Sequence, residues 1–303
     1  MKHISFPNIC VSACMQRLLY MVFPVLIALS GCTKYEEVIV PGNVPPPDPT
    51  VSSSIYEDYI NRSYILTMGR EPDSSELQHD LDVLHNGSLS AASRDTFATG
   101  VFADADFRTH EYEDNHFELL RETDTLDMYI MLINFDQYLA DTANMIAWPY
   151  VQLLRDRLQL AYDARKDFVA GTINLKEVHH RLVNNVFYDE LNMGSQNFVL
   201  AVFQQLINRN PTQNELASGV AMVDGNNAVL FLQSGNTKDD FLNIVFNSNN
   251  YYEGQVIKAY QKYLLRIPDT YEMDNGTHNY AVTQDYVRIE KDLIKTNEFV
   301  GLK

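Results

Sequence analysis

The feature that most constrains the fold is a motif, Arg-x-Pro-x-x-x-Glu, that occurs three times, at 70–76, 209–215 and 266–272. Proline disfavours the α conformation in the residue before it, so a helix that reaches the motif must end near the arginine. Asp or Thr directly after the proline is a good helix N-cap, and Glu three residues later completes a capping box. The motif therefore predicts a helix end, a tight turn and a new helix start at three places. The residues concerned are Arg70, Pro72, Asp73 and Glu76; Arg209, Pro211, Thr212 and Glu215; and Arg266, Pro268, Asp269 and Glu272.

The alternative interpretation of the motif is a site in which each arginine and glutamate hold a ligand. A turn accounts for every shared position without one, because a cation in the last turn of a helix complements the helix dipole. An aromatic residue also stands six residues before each arginine, at Tyr64, Phe203 and Tyr260. We expect these rings to lie in the core.

A second shared element follows each motif. "FATGVFADADF" (97–107), "FLNIVFNSNNY" (241–251) and "IEKDLIKTNEF" (289–299) carry apolar residues at the same offsets, and "LVNNVFYDELN" (182–192) is a looser fourth copy without the terminal aromatic. The spacing i, i+4, i+5 places these residues on one face of a helix. Each unit is therefore predicted to be a helix–turn–helix followed by a closing helix.

These patterns predict an all-α fold, in which the repeated units form an irregular helical bundle. Repeat 1 is expected over 55–110, and repeats 2 and 3 over 176–303. The stretch between them, 111–175, is expected to be a helical insertion of two helices broken at Trp148-Pro149. No stretch shows a convincing alternation of the kind that strands require.

The N-terminal part of the chain has the pattern of an exported lipoprotein. Arg17 precedes an apolar run of about a dozen residues, which suits a signal peptide and is too short for a membrane span. The run ends in Leu-Ser-Gly-Cys, which resembles the lipobox of bacterial lipoproteins. The resemblance implies a signal peptide over 1–31 and a lipid on Cys32, and it leaves Met1 and Met15 as possible starts.

Residues 32–54 are expected to form a spacer after the lipid, because five prolines favour an extended chain. Lys34-x-Glu36-Glu37 resembles the short acidic export signal of surface lipoproteins in the Bacteroidetes. The expected location is the outer membrane, either exposed at the surface or on the periplasmic face.

The first repeat resembles a known bacterial family. Gly69-Arg70-Glu71-Pro72-Asp73 and the loop over 84–90 match a helical repeat domain of unknown function from secreted and cell-surface proteins, whose signature is Tyr-x-x-x-Leu-Gly-Arg-x-Pro-Asp. Helical domains that accompany extracytoplasmic cytochromes of Planctomycetes are similar. The match covers about 50 residues well, and copies two and three lack the glycine before the arginine. The resemblance implies an extracytoplasmic helical module with no established activity.

Charge and cysteine content exclude several function classes. The net charge of −17 disfavours binding to nucleic acid. All three cysteines lie in the first 32 residues, so the body has no disulfide framework, no thiolate nucleophile and no cysteine metal site. No Walker, Gly-x-Ser-x-Gly or His-Glu-x-x-His motif is present. His79-Asp80 and His179-His180 are weak metal candidates, so we expect no enzyme, no cofactor and no metal.

Three functions stay open on the sequence. The first is a lipid-anchored module that acts through protein–protein contacts in an envelope assembly. The second is a surface glycan-binding lipoprotein of an uptake system, which would use exposed rings among Trp148, Tyr150, Tyr251 and Tyr252. The third is an accessory to an extracytoplasmic redox enzyme. Exposed aromatic rings would favour the second function, and buried tyrosines the first.

Overall fold

A computed structural model describes residues 49–302 of the protein, with side chains from residue 54 onward. The predicted signal peptide, Cys32 and most of the spacer lie outside the described residues. The prediction is wrong for the last part of the spacer, because residues 49–54 begin the first helix. Pro49 stands at the helix start, where a proline has no helical N–H bond to lose.

The prediction of an all-α fold is confirmed, since the described chain is a set of helices with one small hairpin. The helices are α1 (Pro49–Met68), α2 (Ser74–Asn86), α3 (Ala91–Ala103), α4 (Ala105–Leu120), α5 (Thr125–Ala140), α6 (Trp148–Val169), α7 (Leu175–Val183), α8 (Val186–Leu191), α9 (Ser195–Val202), α10 (Gln213–Val223), α11 (Lys238–Phe246), α12 (Asn249–Leu264), α13 (Thr270–Thr283), α14 (Tyr286–Ile294) and α15 (Asn297–Val300). A 3₁₀ helix (Thr142–Ala147) joins α5 to α6, and a π turn (Phe203–Ile207) extends α9.

Within residues 49–302 the hairpin is the only β-structure, and the sequence did not predict it. Strands β1 (Ala228–Leu230) and β2 (Gln233–Gly235) pair antiparallel between α10 and α11. The two loop residues, Phe231 and Leu232, both have positive φ, as a tight two-residue hairpin turn requires. Leu232 is almost fully exposed.

All three predicted turns are present, and each has the predicted capping box. Asp73, Thr212 and Asp269 accept hydrogen bonds from the first turns of α2, α10 and α13. In each case the glutamate carboxylate accepts a hydrogen bond from the backbone N–H of the cap residue, at 2.7–2.8 Å. The residue before each arginine is left-handed, at Gly69, Asn208 and Leu265, so copies two and three adopt the same turn without the glycine.

The arginine of each motif holds its turn to the next helix. Arg70, Arg209 and Arg266 each donate two hydrogen bonds to the motif glutamate, at 2.6–2.8 Å. A third bond links each arginine to the residue just before the terminal aromatic of the closing segment. Those acceptors are Asp106, Asn250 and Glu298, at 2.8–3.0 Å. The shared position of these acceptors was missed on the sequence.

The predicted insertion over 111–175 is a divergent fourth unit, which corrects the proposed boundaries at 110 and 175. Helix α4 runs across the first boundary and ends at Arg121, whose φ is positive like that of Gly69. Asp124 and Asp127 then form a capping box at the start of α5. Helices α5 and α6 break at Trp148, as expected, and fill the place that a single helix fills in the other units.

The closing helix of this divergent unit is α7, in a register four residues earlier than predicted. Val178, Leu182 and Val183 are buried, with the i, i+4, i+5 spacing of the other copies. Asn185 then caps α8, and Tyr188 supplies the terminal aromatic that seemed to be missing. The sequence therefore contains four units, although only three have the arginine motif.

One helix from each unit lies at the centre of the molecule, and we call α1, α4, α9 with its π turn, and α12 the inner helices. Helix α1 packs on α4, and the π turn packs on α12. Gln205 donates to the carbonyl of Glu118 at 2.9 Å, which joins the π turn to α4. Arg62 donates to the carbonyls of Tyr263 and Phe299, at 2.7 and 3.1 Å, which joins α1 to the last unit. The four units therefore close on themselves.

Candidate functional site

Helices α5 and α6 form a long hairpin whose inner face is packed. Met128 and Leu132 of α5 are buried, and Met131 and Phe135 are partly buried beside them. On α6, Leu158 is buried. These residues give α5 an ordinary apolar stripe that packs mainly against α6.

The opposite face of α5 is also apolar but has no cover in the described part of the chain. Leu126 is 60% exposed and Ile130 is 49% exposed, with Tyr129 and Ile133 beside them. These four residues follow the spacing i, i+3, i+4, i+7, so they lie along one side of the helix. A helix that is apolar on both sides is ordinarily buried on both sides. This exposed stripe is the strongest indication of a binding surface in the described residues.

Further exposed apolar residues lie at the tip of the hairpin and at the start of α6. Ile146, in the 3₁₀ helix, is 98% exposed, and Met145 and Tyr150 are also exposed. Exposed apolar patches of this extent mark interaction sites more often than ordinary surface. We call the exposed residues of α5 and this tip the apolar face; its members are Leu126, Tyr129, Ile130, Ile133, Met145, Ile146 and Tyr150.

The charged residues of α5, which carries most of the apolar face, are all acidic. The helix contains only two charged residues, Asp127 and Asp136, and Asp141 follows it directly. Neither Lys nor Arg occurs between Arg121 and Arg155. Asp136 accepts a hydrogen bond from Arg155 at 2.8 Å, so a cation offsets part of its charge. Asp127 accepts from a backbone N–H at the start of α5, and Asp141 accepts from the Ala143 N–H and the Asn144 side-chain amide, so neither pairs with a cation in the described residues.

The glycan platform considered on the sequence is not assembled, which corrects that hypothesis. Tyr251 and Tyr252 are buried, so their faces cannot stack on a sugar. The Tyr251 hydroxyl lies 2.9 Å from His179 Nδ1, inside the core. Trp148 is partly buried and its indole N–H is enclosed, whereas Tyr150 is exposed.

The three arginine motifs do not converge on a shared pocket. Each arginine is engaged by the glutamate of its own turn and by one residue of the following closing segment. Arg209 lowers the pKa of Glu215 to about 2, so this carboxylate stays ionised and paired at neutral pH. The ligand interpretation of the motif has no support in this geometry.

A buried ionic cluster lies between the inner helices and α14. Lys262 Nζ is 2.9 Å from Glu111 Oε2 and 3.4 Å from Glu290 Oε1. Tyr263 also donates to Glu290 Oε1, at 3.0 Å, while Glu290 Oε2 has no hydrogen-bond partner among the described residues. Burial and the neighbouring Glu111 carboxylate raise the pKa of Glu290 to about 8, although Lys262 opposes the change.

Glu111 responds in the opposite direction because it has better partners. Burial opposes its ionisation, but the Lys262 ammonium and the hydrogen bonds from Lys262 and Asn115 outweigh this and lower the pKa of Glu111. Asn115 in turn lies 2.6 Å from His179 Nε2, and burial holds the pKa of His179 well below its usual value. The cluster therefore joins α4, α7, α12 and α14 through one polar network.

A cleft of about 370 Å³ opens beside this cluster, lined by Arg108, Glu111, Phe168 and Tyr286 among others. Phe168 and Tyr286 are buried, so their rings offer no stacking surface. Both oxygens of Glu111 already accept hydrogen bonds from within the protein. The cleft thus presents few free groups for chemistry.

Neither histidine pair considered on the sequence is part of a metal-binding group. Over residues 49–302, no cluster of three or more His, Cys, Asp or Glu side chains has the geometry to hold an ion. In the same range, no helix has the length and apolar character that crossing a membrane requires.

Comparison with known proteins returned no match for this chain among protein-family models, curated proteins or solved structures. The resemblance of the first repeat to a helical domain of unknown function therefore stays a prediction.

Proposed function

We propose that this protein is a lipid-anchored helical module of the outer membrane, which acts through protein–protein contacts in an envelope or surface assembly. The observation that carries the proposal is the uncovered apolar face of α5 and the hairpin tip. Burial of such a surface by a partner is favourable at roughly 25 cal/mol per Å² of apolar area. The lipid anchor rests on the Leu-Ser-Gly-Cys pattern that ends at Cys32.

The structure offers no specific observation for the two other functions. For glycan binding, Tyr150 is exposed but the other tyrosines of the hypothesis are buried. An accessory role beside a redox enzyme rests on resemblance alone. Both are kept as outcomes of the experiment that follows.

The proposal is tested by isolating the anchored protein from its own cells and identifying what co-purifies. We expect a defined protein partner, which is lost when Ile130→Asp and Ile133→Asp are combined. Leu232→Asp is the matched control, since it places the same charge on an exposed apolar residue of the β-hairpin. If no protein co-purifies and polysaccharide retards the protein on an affinity gel, glycan binding replaces the proposal.

The anchor is tested separately. Cys32→Ala is expected to release the protein from the membrane fraction, because the acyl chains that hold it would have no attachment. A variant that stays in the membrane fraction would contradict lipidation at this residue.

A further inference from the structure

We infer that the apolar face receives an amphipathic α-helix of another protein, one that carries basic residues beside its apolar stripe. The inference rests on the proposed function and specifies the chemistry of the partner.

The spacing along α5 identifies a helix as the occupant. Exposed residues recur at intervals of four, three, four and three: Leu126, Ile130, Ile133, Gln137 and Ala140. Leu126, Ile130 and Ile133 supply large apolar side chains at a and d positions of a coiled-coil pattern, in which side chains of one helix insert between those of another, and Gln137 and Ala140 continue the spacing without a large apolar side chain. The stripe on the packed side of α5, through Met128 and Leu132, meets α6 in the ordinary way. The outer stripe therefore has the form of a second helix-packing seam with no helix on it.

The flanks of this seam indicate the charge of the partner. In the heptad defined by Ile130 and Ile133, the e and g positions within α5 are Asp127, Tyr129, Asn134 and Asp136, and Asp141 follows directly after the helix. Such flanking charges decide which helices pair in coiled coils. Two of these four positions are acidic and none is basic, and Asp141 adds a third acidic side chain at the end of the helix. A partner with Lys or Arg at the facing positions is therefore favoured, and an acidic helix is disfavoured.

A second copy of this chain fits the seam poorly. Its α5 would bring Asp127, Asp136 and Asp141 against the same three residues, and like charges across an interface oppose association. Arg155 offsets only Asp136. The net charge of −17 acts in the same direction between whole molecules.

The test uses the full chain and synthetic three-heptad peptides, with binding measured by fluorescence anisotropy. The probe has Leu and Ile at a and d and Lys at e and g. One comparison peptide has Glu at e and g, and another keeps the lysines but has Ser at a and d. We expect the probe to bind at least about tenfold more tightly than either comparison peptide.

Variants of the chain locate the binding. Ile130→Ser combined with Ile133→Ser is expected to weaken the probe by about tenfold or more, while Leu232→Ser leaves it unchanged. Asp136→Asn is expected to weaken the basic probe and strengthen the acidic one. Circular dichroism of each variant checks that the fold is intact. We expect it to be intact because the changed residues are exposed.

Three results would overturn the inference. The first is that the lysine peptide without apolar residues binds as tightly as the probe. The second is that the acidic peptide binds as tightly as the probe. The third is that the chain self-associates and the Ile130 and Ile133 substitutions abolish this self-association. If the probe fails to bind but these substitutions still remove a co-purifying protein, the inference fails and the proposed function stands. If nothing co-purifies in the first place, it is the proposed function that fails.

Discussion

The residue before each motif arginine shows how one backbone conformation is met by three different side chains. Gly69, Asn208 and Leu265 all have φ between 55° and 67°. Glycine adopts this region without strain and asparagine tolerates it, whereas leucine does not. The Leu265 side chain is 84% exposed, so it has little packing that would offset the strain in its backbone.

Leu265→Gly is therefore expected to stabilise the protein by about 1 kcal/mol, through relief of backbone strain. Gly69→Ala is expected to destabilise it by more than ~1 kcal/mol. A Cβ at residue 69 would lie 2.7 Å from the His110 ring, in addition to the positive φ. Urea unfolding of both variants measures the changes. Effects of equal sign would show that the turns at 69 and 265 are not equivalent.

The buried carboxyl of Glu290 gives the stability of the protein a defined pH dependence. Its pKa is raised from 4.5 to about 8 in the folded state. The folded protein therefore holds a proton that the unfolded chain has lost above its ordinary pKa. The resulting contribution is complete below about pH 4.5 and is lost as the pH rises through 8.

Titration of Glu290 is expected to lower the free energy of unfolding by a few kcal/mol between pH 5 and 8, at roughly 1.4 kcal/mol per pH unit. Glu290→Gln removes the titration and should flatten this decline relative to the native chain. His179 has the opposite effect. Because burial lowers its pKa, it reduces the free energy of unfolding as the pH falls below its ordinary pKa. Urea unfolding at several pH values compares the two proteins. A decline of equal slope in both would exclude Glu290 as its source.

At the scale of elements, the turns could be predicted because proline and the capping residues act locally. The divergent unit, which comes second along the chain, could not be found from the same motif. Its turn at 121–127 has no proline and no Arg-x-Pro-x-x-x-Glu motif, and Arg121 stands at the left-handed position instead of after it. Its inner helix carries the polar residues Glu111 and Asn115 at buried positions. Such residues belong to the network around Lys262, which no local pattern reveals.

The closing helix of that unit was placed four residues too late for a simple reason. Leu182, Val186 and Phe187 satisfy the i, i+4, i+5 spacing as well as Val178, Leu182 and Val183 do. The cap at Asn185 decides between the two registers, because it ends α7 before Val186. The exposed seam of α5 could have been recognised from the sequence, since only two of its 16 residues are charged.

The motif glutamate is expected to contribute more than a capping box alone. Glu215→Ala removes the reciprocal bond to Thr212 and the bidentate pair with Arg209. We expect a cost of about 1–2 kcal/mol, because the pair is partly exposed and screened by solvent. Asp127→Ala removes a capping box that has no arginine, and should cost less. Thermal or urea unfolding gives both values, and an equal cost would mean that the arginine adds nothing.

At the scale of the whole molecule, the four units form a closed set rather than an open array. Helix α15 packs on α1, and α14 packs on α3. Polar and aromatic contacts both cross this interface: Arg94 donates to Asn297 at 2.9 Å, Lys295 lies 3.0 Å from Asp95, and the Phe299 and Tyr59 rings are 5.9 Å apart. None of these closing contacts involves α5, so its outer side is left available for a binding partner.

Zero-length carbodiimide cross-linking followed by mass spectrometry tests this closed arrangement most directly. It joins lysines only to carboxylates in contact, and it needs no substitution. We expect Lys295 to be joined to Asp95 and Lys258 to Glu118, which lie 3.0 and 2.6 Å apart in the structure. The local pair of Lys295 and Asp292 serves as the control for reactivity. Recovery of the local link without either long-range link would contradict the closure of the four units.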